Sequence, residues 1–267
     1  MRGQTILVLE LDTEYIEMKH RSLIILTLCF LASFSSCKKA LLTVGPIVTQ
    51  SRELPDFTEV HVNDYINLSL VRSDTCYIEI TTGGNIIDNI TTKVRNGGLS
   101  ICNTTTCNWI RPFDYKCEAV LYFKDITDFI FASSGTLKTE NNYIGQSSSN
   151  SYRIEIDGGS GDIDLNINNC DSLYVVYRHG TSHLNLHGED NRFFVIHKRS
   201  YGIIDARNYD AEEVRVTTKS ASDCYISATE SIEATINHFG NIYYKGDPDR
   251  ISVTYGEFAK GKLLPLY

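Results

Sequence analysis

The sequence predicts an all-β fold, a β-solenoid of roughly 20-residue coils with a β-rich N-terminal part, on the strength of three observations. The chain has 16 tyrosines but only 2 methionines in 267 residues, and it is rich in threonine, isoleucine and valine, which favour strands. No segment shows the helical period of apolar residues. In the second half a small residue returns about every twenty positions, each time before alternating apolar residues.

The first element is an export signal. Residues 18–36 contain a basic start, the apolar run Leu23–Leu31 and small residues directly before Cys37. This order is typical of a bacterial lipoprotein signal, so Cys37 is expected to become the lipidated first residue of the mature protein. An ordinary cleaved signal and a membrane-anchoring helix are the alternatives. Residues 1–17 then have no role in export, and Met18 is the predicted start.

Three segments are expected to follow the signal. Residues 37–51 form a lipid-anchored tether, which predicts an exported protein attached to the outer membrane without indicating which side it faces. Residues 52–125 form an N-terminal β region, because runs such as "FTEVHV", "INLSLV" and "CYIEIT" alternate between turn signals such as "TTGGN" and "RNGG". Residues 126–267 contain the solenoid repeats.

Small residues mark the repeat, and we call them anchors. The residues two and four positions after most anchors are apolar, which is the alternation of a strand with one buried face. Stacked copies would share one core, whereas a two-sheet sandwich, the competing architecture, leaves the spacing unexplained. The anchors are Gly135, Gly161, Ser182, Gly202, Ser222, Gly240 and Ala259.

The glycine-rich stretch 157–166, "DGGSGDIDLN", is interpreted as a corner of one coil. A calcium-binding β-roll requires its acid one position later than Asp162 and a shorter period. A phosphate loop requires a following helix, but "DIDLNI" has the pattern of a strand.

The residues three positions after the anchors form the candidate binding surface. In stacked coils they would make one outward row of tyrosines beside carboxylates and amides, which suits a sugar or protein partner, although an ordinary solvated β-face has the same composition. The row consists of Asp164, Asn185, Asp205, Tyr225, Tyr243 and Lys262.

Catalytic and metal sites receive less support. Asp164 and Asp205 would lie two coils apart, with Arg207 on the same face, which resembles the acids and base of a polysaccharide lyase only loosely. The histidines of "HGTSHLNLH", His179, His183 and His187, are too far apart along a strand to share an ion. We therefore expect no catalytic residues, metal or other cofactor.

Three nearby cysteines, Cys102, Cys107 and Cys117, leave several states open. An exported protein can oxidise them, so a disulfide is one possibility, buried free thiols are another, and a zinc site is a third with loose spacing. The 25 basic and 33 acidic residues form no basic cluster, which argues against a nucleic-acid partner. Beyond the N-terminal run, no apolar stretch is long enough to span a bilayer.

Several motifs together resemble the head GIN domain family of "putative auto-transporter adhesins", DUF2807. The resemblance covers roughly residues 52–260 and includes "CNWIR" at 107–111 and "GNIYYKGDP" at 240–248. It implies a right-handed β-helix-like fold in lipoproteins of Bacteroidetes-type bacteria, with no catalytic residues. The opening pattern is carried by Arg52, Leu54, Pro55, Phe57, Val60, Ile66, Leu68 and Leu70.

Together these features predict a non-enzymatic lipoprotein of the cell envelope. Its solenoid would present an adhesion surface to a glycan or a surface protein, and only the lipid would contact the membrane. The alternatives are a polysaccharide-active enzyme on the same scaffold and a purely structural envelope spacer. The sequence does not indicate an oligomeric state.

Overall fold

The computed structural model describes residues 43–106, 115–140 and 150–266. Within these ranges the chain forms eighteen strands and a 3-10 helix, Ile87–Asn89. The described residues contain no helix with the length and apolarity that a bilayer crossing requires. The strands are β1 Ile47–Glu53, β2 Glu59–Asp64, β3 Asn67–Arg72, β4 Tyr77–Gly83, β5 Ile90–Arg95, β6 Gly98–Asn103, β7 Cys117–Phe123, β8 Asp128–Ser133, β9 Leu137–Thr139, β10 Ser151–Asp157, β11 Ile163–Asn166, β12 Ser172–His179, β13 Leu184–Lys198, β14 Ile204–Thr218, β15 Cys224–Ile236, β16 Ile242–Lys245, β17 Arg250–Tyr255 and β18 Leu263–Pro265.

The strands stack into the two walls of a β-solenoid, which confirms the predicted fold class. Wall A consists of β5, β6, β2, β8, β10, β12, the second halves of β13, β14 and β15, and β17. Wall B consists of β1, β4, β7, β3, β9, β11, the first halves of the same three strands, β16 and β18. The strands β13 and β14, 15 residues each, bend from wall B into wall A.

The N-terminal β region belongs to the same stack, but its coils are not in sequence order. The unit β2–β3 lies between β6–β7 and β8–β9, because β2 pairs with both β6 and β8 while β3 pairs with both β7 and β9. At this end β1, β4 and β5 pair antiparallel with their neighbours, whereas the remaining ladders are parallel. The antiparallel strands therefore close one end of the solenoid.

The anchors stack in register, as the repeat predicted. The apolar residues two positions after them pair from coil to coil, and these residues are Leu137, Ile163, Leu184, Ile204, Cys224, Ile242 and Leu263. The last predicted anchor is wrong, since Leu263 places Gly261 in the column instead of Ala259. The amide of Ala259 donates to the carbonyl of Gly256 in a tight turn, and this turn adds two residues before the corner.

Close approach of neighbouring coils explains why glycine recurs in the column. A Cβ at Gly161 would lie 1.6 Å from the carbonyl oxygen of Gly135 in the preceding coil. Between the corners, the inward residues of both walls form one apolar core, and Ile163, Leu184 and Ile204 are fully buried in it. The backbone thus passes closely at the corners while aliphatic side chains fill the interior.

Polar side chains fasten one corner of the later coils. The hydroxyl of Ser220 donates to the carbonyl of Ser200 at 2.6 Å, and the hydroxyl of Ser200 donates to the carbonyl of Gly180 at 2.6 Å. Lys198 is buried. Its Nζ donates three hydrogen bonds of 2.7 Å, to the carbonyl and the hydroxyl of Ser222 and to the carbonyl of Asp223. Burial lowers the pKa of Lys198 to about 8.

Candidate functional site

The candidate binding residues lie side by side on the outer surface of wall B. Each pairs in register with the next across adjacent parallel strands, so they form one continuous row, which we call the ladder face. Lys262 is not part of it: Leu264 pairs with Tyr243 because the last anchor is Gly261. The ladder face consists of Asp164, Asn185, Asp205, Tyr225 and Tyr243.

Planar groups stack along half of the ladder face. Arg207, two residues after Asp205, binds that carboxylate with both Nε and Nη2, at 2.9 Å and 2.5 Å. Its guanidinium carbon lies 4.9 Å from the centre of the Tyr225 ring. The Tyr225 and Tyr243 rings stack with their centres 5.1 Å apart and an angle of 13° between their planes. The result is a rigid series of an ion pair and two aromatic rings.

The stacking determines which part of each ring meets solvent. One face of Tyr225 is covered by Arg207 and the other by Tyr243, so this ring presents its edge and its hydroxyl. The Tyr243 hydroxyl accepts a hydrogen bond of 3.2 Å from Nδ2 of Asn241. Tyr225 is therefore suited to edge contacts and hydrogen bonds, and it has no open ring face on which a sugar could stack.

The carboxylates of the ladder face already have side-chain partners. Hydrogen bonds from Arg207 lower the pKa of the Asp205 carboxyl. Nε2 of His187 lies 3.4 Å from Oδ1 of Asp164, and Asn185 separates the two carboxylates by one coil. A carboxyl whose pKa is lowered is a poor proton donor at neutral pH, so Asp205 is poorly suited to acid catalysis.

The three histidines are exposed or half-buried. His183 and His179 are exposed, and Nδ1 of His179 lies 2.9 Å from Oδ1 of Asp157. Across residues 43–106, 115–140 and 150–266, no three His, Cys, Asp or Glu side chains are grouped closely enough to hold a metal ion.

The cysteines of the local cluster lie on different faces. Cys117 is buried in the core, whereas Cys102 is half-buried on the outer side of β6, and both thiols are free. A disulfide between these two is therefore wrong for this structure, because opposite faces of the walls separate them. Cys107 lies outside the described residues, as does Cys37, so a disulfide involving Cys107 and the lipidation of Cys37 stay predictions.

A second surface feature, on wall A, was not among the predicted sites. Two outward rows run side by side here: one leads from Tyr174 through Val195 and Arg215 to Glu233, and the other contains Phe193 and Glu213. Between them lies a shallow cavity of about 300 Å³, which we call the aromatic groove. Its lining combines apolar and charged side chains: Tyr174, Phe193 and Val195 with Glu213, Arg215 and Glu233.

One sequence signal did indicate that an aromatic side chain lies outside the core. In "RFFVIH" two phenylalanines are adjacent, and strand alternation sends neighbouring side chains to opposite faces. Phe194 is buried and Phe193 lies on the outer face, where the guanidinium carbon of Arg192 is 4.8 Å from its ring centre. The partner residue Tyr174 could not be identified locally, because it comes from the preceding coil.

Comparison with solved structures gives the same architecture. A crystal structure described as a putative adhesin from Bacteroides fragilis shares 21% identity and has a TM-score of 0.70, covering 83% of this chain and 97% of that chain. A putative adhesin from Parabacteroides merdae shares 18% identity, with a TM-score of 0.57 and coverage of 84% and 97%.

A third similar structure has a different description. It is a "putative lipid binding protein" from Parabacteroides distasonis, with 19% identity, a TM-score of 0.56 and coverage of 84% of this chain and 98% of that one. At such identities these structures establish the fold alone. Comparison with curated proteins gives no match.

The family assignment rests on the sequence itself. Residues 56–248 match the family model described as "Putative auto-transporter adhesin, head GIN domain". This span includes the whole ladder face and the aromatic groove. It also agrees with the sequence resemblance to the same family, which covers roughly residues 52–260. The protein is therefore a member of the head GIN domain family, DUF2807.

Proposed function

We propose that this protein is a non-enzymatic adhesin of the cell envelope that contacts a protein partner through the ladder face. The observation that carries the proposal is the stacked series Asp205–Arg207, Tyr225 and Tyr243. Membership in a family described as adhesins supports the adhesive role.

The ring orientation favours a protein over a glycan at this face. Tyrosine and arginine are enriched at protein interfaces because they offer a large contact area together with hydrogen-bonding groups. Stacking fixes these side chains before binding, so less rotational freedom is lost when a partner is bound. A sugar would need an open ring face, and both faces of Tyr225 are covered.

Attachment at the envelope belongs to the same proposal. Cys37 would carry the lipid, and residues 38–51 would connect it to the solenoid. The described part of the tether ends in β1, which pairs with β4 at the closed end of the stack. The ladder tyrosines lie towards the opposite end, which would place them away from the membrane. In a bacterial host, Cys37→Ser should leave an unlipidated precursor; normal lipidation of this variant would contradict the anchor.

Retention of coated beads on epithelial monolayers tests the adhesive role. Beads carrying the full chain should be retained under flow, and Tyr225→Ala with Tyr243→Ala should reduce retention about tenfold or more. A matched control is Tyr77→Ala with Tyr122→Ala. This pair also stacks, with ring centres 4.1 Å apart, but it lies near the closed end of wall B, and its removal should leave retention unchanged.

Treatment of the monolayer identifies the partner class. Surface proteolysis should abolish retention and glycosidase treatment should not; the reverse result would contradict a protein partner. The enzymatic alternative predicts soluble products from polysaccharides, lost in Asp164→Asn or Asp205→Asn, and such products would overturn the non-enzymatic assignment. If beads carrying any variant are retained no better than uncoated beads, the structural spacer becomes the favoured alternative.

A further inference from the structure

The aromatic groove on wall A contains a tyrosine ring that is open to solvent. Tyr174 is 47% exposed, and within the described ranges no other ring or cation stacks on it. Its neighbours in the adjacent coils are Val195, which has a short side chain, and Arg153, whose guanidinium is bound to Glu155. This differs from the ladder face, where Tyr225 is covered on both sides.

Charged groups line the rim beside this ring. Nε of Arg215 lies 2.7 Å from Oε2 of Glu233, and both side chains are more than half exposed. Glu213 faces the groove from the adjacent row and forms no ion pair within the described residues. The guanidinium and the carboxylates therefore retain donors and acceptors for a ligand.

This combination matches the two chemical sides of a pyranose ring. A sugar has an apolar C–H face that packs on an aromatic ring and a rim of hydroxyls that bind carboxylates and guanidinium groups. Tyr174 and Glu233 are three strand spacings apart, about 14 Å, which is enough for several sugar rings in a row.

Charge and polarity narrow the ligand class. The cavity lining itself carries two carboxylates, of Glu213 and Glu233, and the guanidinium of Arg215. The flanking cations are each next to a carboxylate outside the lining, Arg153 beside Glu155 and Arg192 beside Glu212. An anionic polysaccharide would therefore meet a lining with one negative charge in excess. An acyl chain covering the groove would remove water from these charged side chains, which is costly. A neutral saccharide avoids both penalties.

We propose that the aromatic groove is a binding site for neutral oligosaccharides, with Tyr174 as the stacking ring and Glu213, Arg215 and Glu233 as hydroxyl-binding groups. The cavity of about 300 Å³ is at the small end of ligand sites, as expected for an open groove. The site lies on the wall opposite the ladder face, so it stands independently of the protein contact proposed there. A chain with both sites would connect a glycan to a protein.

Titration calorimetry with the full chain tests the site. Cellotetraose, a neutral oligosaccharide with flat apolar faces, should bind, and tetragalacturonate, an anionic oligosaccharide of the same length, should bind at least about tenfold more weakly. Tyr174→Ala should weaken cellotetraose binding about tenfold. Glu213→Gln removes a negative charge, so it should reduce the difference in affinity between cellotetraose and tetragalacturonate. Tyr201→Ala is the matched control, because this tyrosine is 71% exposed outside the groove.

The outcomes separate this site from the ladder face. Tyr225→Ala with Tyr243→Ala should leave cellotetraose binding unchanged even where it abolishes bead retention. The proposal is overturned if cellotetraose does not bind, if Tyr174→Ala binds it as tightly as the unmodified protein does, or if tetragalacturonate binds equally well. Binding of neutral phosphatidylcholine vesicles that is lost in Tyr174→Ala, in place of saccharide binding, would assign the groove to a lipid.

Discussion

The hydroxyl of Tyr177 donates a hydrogen bond of 2.6 Å to the carbonyl oxygen of Ser182, inside the corner of one coil. Gly202, the anchor of the next coil, lies directly against both groups. A Cβ at Gly202 would be 1.8 Å from the Tyr177 hydroxyl oxygen and 2.0 Å from the Ser182 carbonyl oxygen. The close approach of these coils therefore depends on the absence of a side chain at one position.

Replacing that glycine should destabilise the fold. Gly202→Ala forces the corner apart or breaks the Tyr177 hydrogen bond, and overpacking of this kind costs about 1–3 kcal/mol of the free energy of unfolding. Urea denaturation measures the change. Gly98→Ala is the control, since the nearest atom to its added Cβ would be 3.5 Å away. Equal stability of the two variants would contradict the close approach.

The buried Lys198 should make stability depend on pH in an alkaline window. Its pKa in the folded protein, about 8, lies below the ordinary lysine value of 10.5. Between these values the unfolded chain binds more protons than the folded chain, so the free energy of unfolding contributed by this group rises as pH increases. The free energy of unfolding of the unmodified protein, minus that of Lys198→Met, should therefore increase by up to about 3 kcal/mol from pH 8 to pH 10.5.

Using the difference between two proteins removes the titrations they share. Groups remote from Lys198 contribute equally to both curves and cancel. The Cys224 thiol interacts with Lys198, so both proteins should carry Cys224→Ala. Lys219→Met is the control for loss of a positive charge, because Lys219 is exposed beside the same corner. If the difference in free energy of unfolding between the unmodified protein and Lys198→Met does not change with pH, the burial of the Lys198 amine is contradicted.

Thiol reactivity should distinguish the cysteines by burial. Burial raises the pKa of Cys117 and Cys170 to about 11 and that of Cys224 to about 12, so few thiolates form at pH 8. With iodoacetamide, peptide mapping of the reduced native protein should find Cys102 modified before these three. In denaturant all four should react at similar rates. Early modification of Cys224 in the native protein would contradict its place in the core.

The repeat was predictable because its signals are local. Small residues at corners and alternation after them identify one wall of each coil, and Gly161, Ser182 and Gly202 do lie in one column. The last coil shows the limit of such signals. Ala259 and Gly261 are both small, and only the turn at Gly256 decides which one meets the column.

Long-range pairing explains what the sequence could not reveal. The strand β2 pairs with both β6 and β8, and no local period encodes that insertion. The aromatic groove was missed for the same reason, since Tyr174 and Phe193 come from different coils. Stacking also changed the interpretation of the predicted row, because the Tyr225 and Tyr243 rings each cover one face of the other.

Cross-linking of two engineered cysteines tests the coil register most directly. Tyr225 pairs with Tyr243 on the outer face, while Tyr244 pairs with Ile226 and turns towards the core. A short reagent that joins two thiols should link Tyr225→Cys to Tyr243→Cys, with the linked peptide identified by mass spectrometry. The same reagent should fail with Tyr225→Cys and Tyr244→Cys. Efficient linkage of the second pair and none of the first would contradict the stacked ladder on which the account depends.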